Sequence, residues 1–110
     1  MGQRDEIPPG TLDMLILKTL TRGGEMHGFE IAETIQQTSD NVLRVEEGSL
    51  YPSLQRMLIK GWLLGEWGKT KENRRARYYK LTSSGRRQLE HEQTCYERVA
   101  QAIARILQPV

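Results

Sequence analysis

The stretch Glu47-Gly48-Ser49-Leu50-Tyr51-Pro52-Ser53-Leu54-Gln55-Arg56-Met57-Leu58-Ile59-Lys60-Gly61 decides how the rest of the chain is read. Leu50, Leu54, Met57 and Leu58 fall on one helical stripe and leave Ser49, Ser53, Gln55, Arg56 and Lys60 towards solvent. Gly48-Ser49 offers an N-cap, and Pro52 is expected in the first turn, where its missing N–H has no partner to lose. Gly61 ends the helix. The result is short and one-sided: it buries one face and presents small polar and bidentate groups on the other.

Downstream, Trp62 to Trp67 and Arg77 to Leu81 are rich in aromatic and aliphatic residues and read as two strands. The polar, cationic segment Gly68 to Ala76 joins them as a hairpin loop. Thr82-Ser83-Ser84 then caps a long final helix in which Leu89, Tyr96, Val99, Ile103 and Ile106 recur at three- and four-residue steps. If it reaches Leu107, its 25 residues span about 37 Å, which overshoots a domain of this size. The uncovered stripe calls for a second copy of the chain.

Upstream, Thr11 is expected to cap a helix from about Thr11 to Thr21 whose apolar face is Leu12, Leu15, Ile16, Leu17 and Leu20. Gly23-Gly24 break it, and a second amphipathic helix opens near His27-Gly28 with Phe29, Ile31, Ala32 and Ile35. Val42 to Val45 is a short apolar segment. The expected organisation is an N-terminal arm (1–10), a body (11–82) and a dimerisation helix (83–110). The fold class is mainly α with a small β-hairpin, an α+β fold.

Charge assigns a surface. The 110 residues carry a net +2, but Lys69 to Arg87 hold eight basic groups against the single acid Glu72, a net +7, which leaves −5 on everything else. A lopsided molecule of this kind favours a polyanionic partner. Three short helices followed by a basic hairpin is the layout of a winged helix-turn-helix, in which the third helix enters the major groove and the hairpin, the wing, follows the backbone. Ser49, Ser53, Gln55 and Arg56 are the candidate contacts on the helix. Ser49 reads equally as a pure helix cap. Tyr51 reads either as a core ring or as a packed ring whose hydroxyl reaches a phosphate. Lys69, Lys71, Arg74, Arg75 and Arg77 of the wing supply affinity more than sequence choice.

Other classes are excluded or left without support. The longest apolar run, Met14 to Leu17, is far short of the roughly 20 residues of a membrane helix. Residues 1–10 lack the apolar core of a signal peptide, so a cytoplasmic location is expected. One cysteine, Cys95, with only His27 and His91 for company, makes neither an internal disulfide nor a zinc site within one chain. Gly68-Lys69-Thr70 resembles the end of a phosphate-binding loop, but Leu63 stands where the first glycine is required. No hydrolase or metalloprotease motif occurs, so neither an enzyme nor a cofactor is expected.

Several segments together resemble the PadR family of bacterial transcriptional regulators, in its short form. They are Leu12-Asp13-Met14-Leu15-Ile16-Leu17, Met26-His27-Gly28-Phe29-Glu30-Ile31-Ala32, Glu47-Gly48-Ser49-Leu50-Tyr51-Pro52-Ser53-Leu54 and Arg77-Tyr78-Tyr79-Lys80-Leu81-Thr82 before Gly85. The resemblance implies a repressor that dimerises through its terminal helices and binds an inverted-repeat operator on double-stranded DNA. In some members a planar aromatic compound entering the dimer interface releases the DNA, which makes Tyr96 the candidate effector contact. The family's usual tyrosine after His-Gly is Phe29 here. The competing reading is a winged-helix module whose basic wing docks an acidic protein.

Overall fold

The computed structural model describes residues 5–8 and 10–109, with backbone only for Asp5 and Glu6. The first four residues of the expected arm, together with Pro9 and Val110, lie outside the described residues. The elements run β1 (Asp5–Glu6), α1 (Leu12–Gly23), β2 (Met26–His27), α2 (Gly28–Thr38), β3 (Leu43–Arg44), α3 (Glu47–Ile59), β4 (Leu63–Lys69), β5 (Arg75–Leu81) and α4 (Ser83–Leu107). This is the α+β arrangement expected, four helices and a small antiparallel sheet.

The core lies where α1, α2 and α3 meet the root of the hairpin. Ile16, Leu17, Ile31, Leu50, Leu54, Met57 and Leu63 are essentially inaccessible to solvent, and Tyr79, Leu81 and Leu89 close the cluster. Truncating one such aliphatic side chain to alanine costs about 2 to 5 kcal/mol, so the angle between α3 and the hairpin is firmly held.

The sheet order is β2-β5-β4, with β4 and β5 antiparallel from Leu63↔Leu81 out to Lys69↔Arg75. The strands extend two residues further towards the tip than expected on each side and shorten the loop to Thr70–Arg74. Asn73 N–H donates to the Thr70 carbonyl at 2.9 Å, and Asn73 takes the left-handed conformation (φ 61°), which asparagine tolerates. Two pairings were not expected: β2 adds to β5 through Met26↔Tyr79 and His27↔Tyr78, and β1 runs parallel to β3.

Helix ends also depart from expectation. Thr11 precedes α1, but its backbone is helical rather than extended, and its hydroxyl donates back to the Pro8 carbonyl (2.7 Å) instead of capping. The second helix is capped by His27. Its Nδ1 accepts from the Glu30 N–H (3.4 Å), while Glu30 Oε1 accepts from the His27 N–H (3.1 Å), forming a reciprocal capping box. Thr82 caps α4 as expected, accepting from Gly85 N–H at 3.0 Å. Gly85 has to be glycine, since a Cβ there would collide with the Trp62 carbonyl oxygen and lie 2.7 Å from the Leu81 side chain. That close approach seats the start of α4 on the body, against α1, while its far half runs clear of it.

Candidate nucleic-acid interface

Helix α3 begins two residues earlier than its sequence suggested. Glu46 is the N-cap residue, yet its side chain caps nothing, because its carboxylate faces Arg44 Nε at 3.0 Å. Ser49 therefore sits inside the first turn, its N–H on the Glu46 carbonyl (3.0 Å) and its side chain exposed, which removes the cap reading. Pro52 lies in the second turn, not the first, above the exposed Gly48 whose carbonyl loses its usual donor.

One expected helix contact, Ser53, is corrected, and another, Arg56, is engaged within the chain. Ser53 is 6% exposed: it lies three residues after Leu50 and four before Met57, within the buried stripe, so its hydroxyl faces the protein. Arg56 is exposed, but its Nη2 lies 2.6 Å from both carboxylate oxygens of Asp13 in the first turn of α1. Asp13 is the less accessible partner and needs this cation, so Arg56 braces α3 against α1. Ser49, Tyr51 and Gln55 remain on the open face.

Tyr51 combines packing with access. Its ring lies against Gly28, where a Cβ would come within 2.8 Å, yet the side chain is 46% exposed. Beneath it, burial pushes the Tyr79 phenol above its ordinary range; Arg77 pulls it partly back and Tyr51 raises it further. Tyr51, Tyr79 and Arg77 thus form one neighbourhood that joins α3 to the wing.

The wing residues divide into two sets. Lys69, Lys71 and Arg74 are exposed about the turn, and the Lys69 carbonyl accepts from Tyr78 Oη at 3.1 Å. Arg75 and Arg77 lie on the same strand face as Trp67, with guanidinium carbons 4.4 and 5.9 Å from its ring centroid. Neither Trp67 nor Phe29 figured among the sequence candidates, yet both are more than half exposed beside this face. The missed signal for Trp67 was register, because it pairs directly with Arg77 and diagonally with Arg75.

Along α4, Leu89 is corrected: at 6% exposure it belongs to this chain's own core, since it falls in the part of the helix seated on α1. Tyr96, Val99, Ile103 and Ile106 are all about half exposed or more and share one side of the helix beyond that seat. His91 is exposed, with Nε2 4.0 Å from Cys95 Sγ. Among the described residues no cluster could hold a metal, and no helix is long and apolar enough to cross a membrane.

The sequence profile of the transcriptional regulator PadR-like family matches residues 16–91. The chain belongs to that family. PadR-like proteins are transcriptional regulators, not enzymes, and the match spans α2, α3 and the wing together with most of α1 and the first part of α4. A PadR-like transcriptional regulator from Bacillus cereus shares 27% identity and a TM-score of 0.75 over 92% of this chain and 95% of its own. A PadR family transcription regulator from Clostridium difficile shares 26% and a TM-score of 0.75, over 90% of this chain and all of its own. A transcriptional regulator from Clostridium thermocellum has the same fold, with a TM-score of 0.81 at 24% identity over 90% and 95% of the two chains. An uncharacterized protein of Lysinibacillus sphaericus is 29% identical over 83 residues, 76% of this chain and 75% of that one.

Proposed function

We propose that this PadR-like regulator acts as a homodimeric repressor that binds double-stranded DNA. Helix α3 lies in the major groove and the wing lies along the phosphate backbone. The observation that carries the reading is the shared position of α3 and the cationic wing. Tyr51 of α3 and Arg74, Arg75 and Arg77 of the wing line a single cleft of about 460 Å3, so an element that enters the groove carries the backbone-binding arginines beside it. Gln55 and Ser49 read base edges, the wing cations contribute affinity, and Phe29 provides apolar contact where a tyrosine would have offered a hydroxyl.

The exposed α4 stripe supports pairing of two chains through Tyr96, Val99, Ile103 and Ile106, which gives the complex the two-fold symmetry of an inverted repeat. Occupying a promoter is sufficient for repression, and such a protein works in the cytoplasm. Tyr96, half exposed near the pairing surface, is where a planar aromatic effector would stack. Selection of bound fragments from genomic DNA by the purified protein tests the reading. The expected product is an inverted repeat with half-sites about 34 to 36 Å apart, centre to centre; recovery of fragments without a shared sequence would refute site-specific repression.

A further inference from the structure

Two clefts flank the wing, and their linings differ in charge. The larger, about 910 Å3, mixes Lys69, Lys71 and Arg74 with the carboxylates of Glu30, Glu33, Glu47 and Glu72. The smaller, about 460 Å3, is lined by Arg74, Arg75 and Arg77 with Tyr51 and Trp67, and no carboxylate takes part. An anion approaching the second cleft meets only cations and neutral groups.

The sheet register explains how two of those arginines share so small a space. Lys69↔Arg75 and Trp67↔Arg77 are successive same-face pairs, so one ring, Trp67, is within reach of two guanidinium groups that would otherwise repel each other. Its ring takes Arg75 at 4.4 Å and Arg77 at 5.9 Å. A guanidinium that uses its face on a ring leaves its outward in-plane N–H donors for a phosphate, which for Arg77 are those on its Nη atoms. Gly65 completes the arrangement, for a Cβ there would lie 2.6 Å from Arg77 Nε. That nitrogen is buried with no hydrogen-bond partner among the described residues, so packing rather than hydrogen bonding fixes this part of the arginine.

We propose, resting on the DNA-binding reading above, that Trp67 is a positioning residue: it holds Arg75 and Arg77 as a stacked pair in the cleft they share with Tyr51, and that cleft seats one phosphate of the duplex backbone. Trp67 then governs affinity without contributing charge. A solvated wing whose arginines move independently would show no such dependence.

The test uses the full chain, a fluorescein-labelled duplex of about 30 base pairs and anisotropy titrations at several salt concentrations. Trp67→Leu should weaken binding about two- to thirty-fold, the range of a cation–π contact from exposed to desolvated, while the slope of log affinity against log salt stays that of the unaltered chain. Trp67→Phe should restore most of the loss. In an Arg75→Ala background Trp67→Leu should cost far less, because the stacked partner is already gone. In the free protein, the Arg75 side-chain N–H resonance should carry a ring-current shift that Trp67→Leu abolishes. Wild-type affinity in Trp67→Leu, or losses that simply multiply in the double variant, overturns the inference while leaving DNA binding intact. If the ring-current shift is present but the unaltered chain fails to bind duplex at low salt, the DNA-binding reading itself falls, and this inference with it. Should Trp67→Leu lower the melting temperature, Trp67→Thr, which suits a strand but has no ring, carries the same cycle with Arg75→Ala.

Discussion

Two surfaces of this molecule leave large apolar side chains in water, and they do so in different company. Around the wing cleft, Phe29, Tyr51 and Trp67 are interleaved with arginines; along the far half of α4, Tyr96, Val99, Ile103 and Ile106 succeed one another at helical spacing. Similar exposure therefore carries opposite meanings. Rings set among cations suit a partner that is anionic and has flat or ridged apolar parts, as nucleic acid does. An aliphatic stripe on a protruding helix suits a surface like itself.

The largest effect is expected on the stripe. Val99→Asp with Ile103→Asp should give a monomer by sedimentation, because burying two unpaired carboxylates per chain costs several kcal/mol, and operator affinity should fall with the loss of the second half-site. The body should stay folded, since neither position touches its core. A variant still dimeric would move the interface elsewhere.

Next comes the cleft side, where affinity and specificity should part. Replacing Arg74 and Arg75 with alanine should weaken binding to operator and to unrelated duplex alike. Gln55→Ala should cost about 1 to 3 kcal/mol on operator alone. Equal losses of Gln55→Ala on both DNAs would make α3 a backbone clamp.

A smaller effect belongs to Arg56, which the structure moves from the reading face to a brace. Arg56→Ala should destabilise the fold by about 1 kcal/mol or less, as expected for a partly exposed pair, and Asp13→Asn should produce much the same loss without adding to it. A specificity change in Arg56→Ala without a stability change would return that side chain to the base-reading set.

The least effect is at high pH. Burial raises the Tyr79 phenol above its ordinary value of 10.0. The folded state therefore favours the neutral form, and the associated stability is present below pH 10 and lost as pH rises through the raised value. Chemical denaturation of Tyr79→Phe should lack this alkaline decline; an identical decline in both proteins would assign it to other groups.

Much of this architecture was legible because it rests on periodicity. The Leu50-Leu54-Met57 stripe, the hairpin and the long helix capped at Thr82 all follow from side-chain spacing or cap chemistry, and each forms as expected. The strands β1, β2 and β3 were not legible, since two residues leave no alternation to count. At the site, exposure of Ser49 and Gln55 followed from the helix wheel, and Tyr51 stood open between a core ring and a packed ring with a free hydroxyl; Ser53 was misplaced because a hydroxyl small enough to fit a buried stripe was read as polar surface. Arg56 was misread for a different reason: its partner Asp13 is 43 residues away, beyond any local pattern. Trp67 needed the register of β4 on β5, which the loop length alone decides.

Whether α3 and the wing form one DNA-binding surface is decided by the salt dependence of duplex binding. Lys69, Lys71 and Arg74 each neutralising one phosphate, with Arg75 and Arg77 sharing one more, give a slope of log affinity against log salt of about −3.6 per chain, at roughly 0.9 per phosphate. A steep linear fall of that order is expected, reduced by about one to two phosphates' worth in the Arg74→Ala, Arg75→Ala variant, where Arg77 still faces the phosphate it shares with Arg75. A flat response, or no duplex binding even at low salt, would contradict it and leave the basic wing to a protein partner.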